Sequence, residues 1–136
     1  MFIKFSVAIL LCLLTKITYG EVIRINCSGY PLEISTFPSS LKTTVIVNNK
    51  NLNRVESGWT HKLKELEITN TRITFTETMS PPKKHRHEWI NTRTYYEINR
   101  LSGSLFIQTK EYNFGGELLN QRTYPIDNCI SAKTKF

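Results

Sequence analysis

Residues 94–107 read TYYEINRLSGSLFI, and this stretch decides the fold. Thr94, Tyr96 and Ile98 have the same parity, so an extended chain places them on one face, where Leu105 and Ile107 can meet them across a turn. The turn is Leu101, Ser102, Gly103 and Ser104: Gly103 supplies the residue with φ > 0, and Asn99 and Ser102 can bond neighbouring backbone groups. An antiparallel hairpin follows, and its period of two recurs along the chain in both directions.

Downstream, Gly115 and Gly116 predict the next turn and Leu118 to Ile126 the last strand, with Pro125 marking an edge or a strand end. Upstream, Pro81 and Pro82 enforce a loop because neither can donate to a ladder, and strand signals resume at Trp89. Before the prolines, Ile73 and Phe75 alternate with Arg72, Thr74 and Thr76, and Leu66 and Ile68 alternate with Glu65, Glu67 and Thr69. The apolar parity changes across Asn70 and Thr71, which predicts a tight turn there in preference to a bulge. Leu63 to Leu66 is the one short helical candidate. Nearer the N-terminus, Thr43 to Val47 is β-branched, Asn48 to Asn51 is a polar turn cluster, and Leu52 to Ser57 reads as the returning arm of a hairpin that Gly58 ends. Val22, Arg24 and Asn26 alternate with Glu21, Ile23 and Ile25 until Cys27, Ser28, Gly29 and Pro31 break the run. About eight short strands and no convincing amphipathic helix predict an all-β, single-domain antiparallel meander, barrel-like or a two-sheet sandwich.

Met1 to Gly20 has the build of an export signal: Lys4 in the n-region, Phe5 to Leu14 as the apolar run, and small residues at Thr18 and Gly20 before cleavage at Glu21. Lys16 cuts the apolar run short of the ~20 residues a spanning helix needs, so residues 21–136 are expected to form one exported β-domain, periplasmic or secreted, with no transmembrane segment. The mature chain then holds Cys27 and Cys129, an even count that favours a disulfide in an oxidising compartment. Cys27 is read as following the first strand and Cys129 as following the last. The bridge is therefore predicted to fasten the N- and C-terminal strands where the meander meets itself.

Several motifs point together to a resemblance. They are the strand Thr44 to Val47, the run Asn53 to Trp59, Thr71 to Phe75, the hairpin Ile98 to Leu105, and Cys129 followed by a short basic tail ending in Phe136. In this order they resemble a group of small uncharacterised exported bacterial proteins with an Ile-Asp-Arg-Val-Thr-Gly hairpin and a terminal cysteine before a basic tail and Phe. Here Asn99, Leu101 and Ser102 stand where that group has Asp, Val and Thr. The resemblance implies compartment and fold and carries no activity.

Without Lys4 and Lys16 the formal net charge of +7 falls to +5. Arg24, Lys42, Arg54, Arg72, Arg93, Arg100 and Arg122 are scattered and read as solvated strand faces and ends; the densest run is Lys83, Lys84, His85, Arg86 and His87, followed by Trp89. Cations with an aromatic anchor predict contact with an anionic partner, for which envelope phosphates, lipid head groups and acidic glycans are accessible chemistries. Nucleic acid is not expected for an exported chain without a recognised binding module. His85 and His87 fall on one side if extended, but Glu88, His61 and Glu77 join them only by composition, and the adjacent Lys83, Lys84 and Arg86 repel a cation. No metal or other cofactor is expected.

Catalysis is not expected either. Asp127 is the mature chain's single aspartate, both cysteines are assigned to the bridge, and Glu65 and Glu67 read as a solvent face opposite Leu66 and Ile68. Trp59, Phe75, Tyr95, Tyr96, Phe106, Tyr112, Phe114 and Tyr124 read as core and cross-strand pairs. The function expected is that of a monomeric, non-enzymatic binding protein at the cell envelope, holding a protein or an anionic surface. The alternative is a carrier whose barrel-like cavity takes a small apolar ligand.

Overall fold

The computed structural model describes residues 21–36, 43–85 and 90–135, with the side chains of 85 and 131–135 outside the description. Among these residues the strands are β1 (Glu21–Cys27), β2 (Tyr30–Thr36), β3 (Thr44–Val47), β4 (Lys50–Asn51), β5 (Arg54–Glu56), β6 (Trp59–Ile68), β7 (Arg72–Ser80), β8 (Asn91–Asn99), β9 (Ser104–Tyr112), β10 (Leu118–Ile126) and β11 (Cys129–Lys135). They pair as two antiparallel sheets, one of five strands in the order β11-β1-β2-β3-β4 and one of six in the order β10-β9-β8-β7-β6-β5. In chain order this is an up-and-down meander that changes sheet between β4 and β5 and again between β10 and β11, then closes with β11 against β1. The barrel and sandwich expectations thus merge: the strand order is cyclic, but ladder pairing stops at two seams.

Period-two patterning puts the core between the sheets. Ile23, Ile25, Leu32, Ile34, Val45 and Val47 of the five-stranded sheet cluster with Ile73, Phe75, Tyr96, Ile98, Leu105 and Ile107 of the other. Phe75 and Tyr96 are cross-strand partners whose rings stack with centroids 4.7 Å apart. Further along the same strands the inward positions turn polar. Glu77 pairs with Thr94, and Thr94 with Thr109, the two hydroxyls lying 3.3 Å apart.

Cys27 and Cys129 form the disulfide, with an S–S distance of 2.02 Å and a sequence separation of 102. They are directly opposite in the β1–β11 ladder, so the staple fixes the last strand on the first. Closing a loop this long constrains the unfolded chain by about 4–5 kcal/mol in the entropy model. The turn of the deciding hairpin braces the same point: the Cys129 N–H donates to the Gly103 carbonyl at 2.8 Å. Gly103 has φ +68°, and a Cβ there would sit 3.1 Å from the Cys129 carbonyl oxygen, so both conformation and proximity require glycine.

The hairpin turn itself is as read, with the Asn99 Oδ1 accepting from the N–H groups of Leu101 and Ser102. The turn between β6 and β7 also stands where the parity change put it, closed by the Thr69 N–H on the Arg72 carbonyl. Other readings are corrected. Leu63 to Leu66 is strand with a bulge between Lys64 and Glu67, not helix, because Leu63 and Ile68 have cross-strand partners in β7. The return arm after β3 is Lys50–Asn51 across a turn at Asn48 and Asn49; Leu52 is a buried core residue and β5 belongs to the other sheet. Cys129 begins the last strand instead of following it, since β11 is held by backbone pairing to β1 with little apolar patterning of its own. β2 lay hidden behind the break read at Gly29 and Pro31. Of the aromatic set, Phe75 and Tyr96 pair in the core and Tyr95 and Phe106 pair across β8 and β9 outside it, as read, whereas Phe114 and Tyr124 are exposed and Tyr112 half-buried.

Candidate ligand-binding face

β8 and β9 alternate on both faces. With Thr94, Tyr96, Leu105 and Ile107 turned inward, Arg93, Tyr95 and Glu97 of β8 and Phe106, Gln108, Lys110 and Tyr112 of β9 form the outer face of the six-stranded sheet. Register sorts them into rows. Arg93 stands directly opposite Lys110, with Lys62 in the same row across Thr78. The adjacent row holds Lys64, Thr76, Tyr95 and Gln108. Directly opposed residues have Cβ atoms about 5 Å apart, and like charges so placed destabilise a sheet. Among the described residues no carboxylate pairs with these four cations. The ion pairs Arg24–Glu33, Lys50–Glu56, Arg54–Glu56, Arg54–Glu77 and His61–Glu77 all lie elsewhere.

The face is hollowed. A depression of about 320 Å³ lies over Thr76 and Gln108 between Arg93, Lys110, Tyr95 and Tyr112, with Glu65 at its lip. A second of about 510 Å³ continues from Arg93 and Tyr112 to Ser80, Asn91, Asn113 and Phe114. Tyr95 is held in place. Its hydroxyl donates to Glu97 Oε2 at 2.7 Å, and its ring meets Phe106 edge-on at a centroid distance of 6.5 Å. Burial first, then Glu97, push its pKa up to about 12. Glu65 reaches the lip from the β6 bulge with φ +54°, a left-handed conformation unfavourable for a residue with a Cβ.

Of the residues singled out from the sequence, Lys83 and Lys84 are exposed on a 3-10 turn, Lys83–His85, that leaves the sheet beyond Ser80. Arg86, His87 and Trp89 lie outside the described residues. Arg93 reads in the sequence as one of the scattered solvated charges, Lys110 is not singled out there, and only the ladder brings the two together.

A second cluster is buried. His61 Nδ1 lies 2.7 Å from Glu77 Oε1, and Arg54 Nη1 donates to the same oxygen at 3.3 Å and to the Asn51 carbonyl at 2.9 Å. Tyr96 sits beside Glu77 and Tyr30, and burial chiefly raises the pKa of both tyrosine hydroxyls. These groups satisfy one another across the β4–β5 seam. Among the described residues no set of three or more His, Cys, Asp or Glu side chains is placed to hold a metal ion.

The chain matches no family model, no curated protein and no solved structure. The face must therefore be judged by its own chemistry: cations without acid partners, a clamped tyrosine, an amide and a carboxylate, all on a rigid sheet. Such a set has the chemistry to hold an anion.

Proposed function

We propose that the protein is an exported, non-enzymatic binding protein that acts at the cell envelope by holding an anionic partner on the outer face of its six-stranded sheet, with the Lys83 to Trp89 loop extending the contact. The observation that carries this reading is the opposed Arg93–Lys110 pair, aligned with Lys62 and, among the described residues, in no ion pair with a carboxylate. A sheet stabilised only for its own sake would place opposite charges there; an anion between the two cations relieves their repulsion and binds for that reason. Export is supported by the signal-like N-terminus and by the Cys27–Cys129 bridge, which belongs to an oxidising compartment.

Retention of the mature protein on a sulfated matrix tests the reading. Arg93→Gln with Lys110→Gln should elute at clearly lower salt than the parent, and Lys83→Ala with Lys84→Ala should elute between the two. Unchanged retention of both variants removes the proposal. The carrier reading has one observation in its favour, a cleft of about 520 Å³ where Tyr30, Tyr96, Ile107, Tyr124 and Ile126 meet between the sheets. An apolar fluorescent dye that fails to bind the folded protein ends it.

A further inference from the structure

We infer that the anion is a sugar: the trough on the outer face takes a linear acidic oligosaccharide, with one sulfated or carboxylated ring lying between Tyr95 and Tyr112 over the Arg93–Lys110 pair. This rests on the anion-binding reading above and narrows it to one chemistry.

The shape of the face favours a ligand that can enter a hollow over a flat partner. Lys110 and both tyrosines are half-buried in the sheet surface and line the hollow with Arg93, which is exposed, as are Lys62 and Lys64 beside it. A bilayer engages protruding cations with an apolar wedge beside them, whereas a chain of rings can enter a trough. The two depressions share Arg93 and Tyr112 and so adjoin. Positions two apart on a strand are about 6.7 Å from each other, which spaces Tyr95, Arg93 and Asn91 along the two depressions.

The polar complement also fits a sugar. Gln108 offers both a donor and acceptors, and Asn91 and Asn113 repeat that capacity in the second depression. Glu65 also lines the trough. Its carboxylate accepts hydrogen bonds from ring hydroxyls, and it repels a ligand as densely charged as a polyphosphate more than one whose charge is confined to a sulfate or carboxylate held by Arg93 and Lys110. It is carried there by a bulge that holds a non-glycine residue in left-handed conformation, an arrangement that re-aims a side chain and that stability alone does not favour. The clamp on Tyr95 by Glu97 and Phe106 presents a fixed ring face for stacking, so little rotamer freedom is lost on binding.

Calorimetric titration of the mature protein with four probes tests this: a heparin hexasaccharide, a pectate oligomer, vesicles of phosphatidylglycerol and phosphatidylcholine, and a twelve-residue oligothymidylate. Expected is binding to at least one of the two acidic saccharides, and by each saccharide bound at least tenfold more tightly than by vesicles or oligonucleotide. Losing one charge-assisted contact weakens binding by roughly tenfold or more, so Lys110→Gln should lower saccharide affinity by that factor. Tyr112→Leu, which keeps every charge, should lower it severalfold while leaving any residual vesicle binding unchanged. Preferential binding of vesicles or oligonucleotide, still lost in Lys110→Gln, overturns the sugar assignment and leaves the anionic face standing. Binding to none of the four, or affinity unaffected by Lys110→Gln, overturns both. Circular dichroism melting of each variant confirms that a lost affinity is not a lost fold.

Discussion

Arg24 on β1 and Arg93 on β8 occupy equivalent places, each exposed on the outer face of its sheet, with a charged residue directly across the ladder. Arg24 faces Glu33 and bonds it at 2.9 Å. Arg93 faces Lys110. Identical geometry is thus used in opposite senses. The five-stranded sheet neutralises its outer pair and carries the disulfide; the six-stranded sheet keeps a repulsive pair and a left-handed glutamate beside it. Where a local rule is obeyed on one sheet and broken on the other, the broken site is the place to look for binding.

The largest effects belong to the disulfide seam, where Cys27, Cys129 and the Gly103 turn meet. Cys27→Ser with Cys129→Ser should lower the unfolding free energy by roughly 4 kcal/mol in urea titration, while any protein that remains folded keeps its anion affinity. Equal loss of affinity and stability would merge the two regions into one. Gly103→Ala comes next: the left-handed conformation and the Cys129 carbonyl at 3.1 Å predict a loss of about 1–2 kcal/mol, read as a lower urea midpoint with unchanged slope.

Smaller shifts sharpen the contrast itself. Lys110→Glu copies the Arg24–Glu33 arrangement onto the second sheet, and should raise stability by about 0.2–1 kcal/mol while abolishing anion binding. Glu33→Lys makes the reverse change and should lower stability by a similar amount. If Lys110→Glu destabilises, the opposed cations are not repulsive and the contrast fails. The smallest effect is invisible at neutral pH. Tyr95 has its pKa raised from 10.0 to about 12, so the folded state holds this proton more tightly than the unfolded chain does. Its contribution is complete below pH 10 and is lost as pH rises from about 10 through about 12. Urea titrations across that window should show a shallower decline for Tyr95→Phe than for the parent.

Much of this was legible in the sequence. Residues 94–107 fixed their own hairpin because Gly103 sets the turn and Asn99 caps it, and the parity change at Asn70 and Thr71 located the β6–β7 turn. The hairpin register, carried outward from Ile98 and Leu105, pairs Arg93 with Lys110, so the outer row was written in the chain although no local pattern announces it. The buried pair left a fainter sign: Glu77 shares the parity of Ile73 and Phe75, an acid on a core face, and its partner His61 is inward by the parity of Leu63. Other features could not be read. β11 has almost no apolar alternation and exists because β1 offers its free edge, and the bulge at Lys64–Glu67 depends on β7 as the partner that fixes the count.

The most direct measurement places stability and affinity on the same molecule. Lys110→Gln is unfolded in urea and titrated with the acidic saccharide that the parent binds. The predicted result is an unfolding free energy equal to or above the parent's, with affinity reduced roughly tenfold. A variant that loses stability and keeps its affinity would show that Lys110 serves the fold, and would contradict the assignment of this face to an anionic partner.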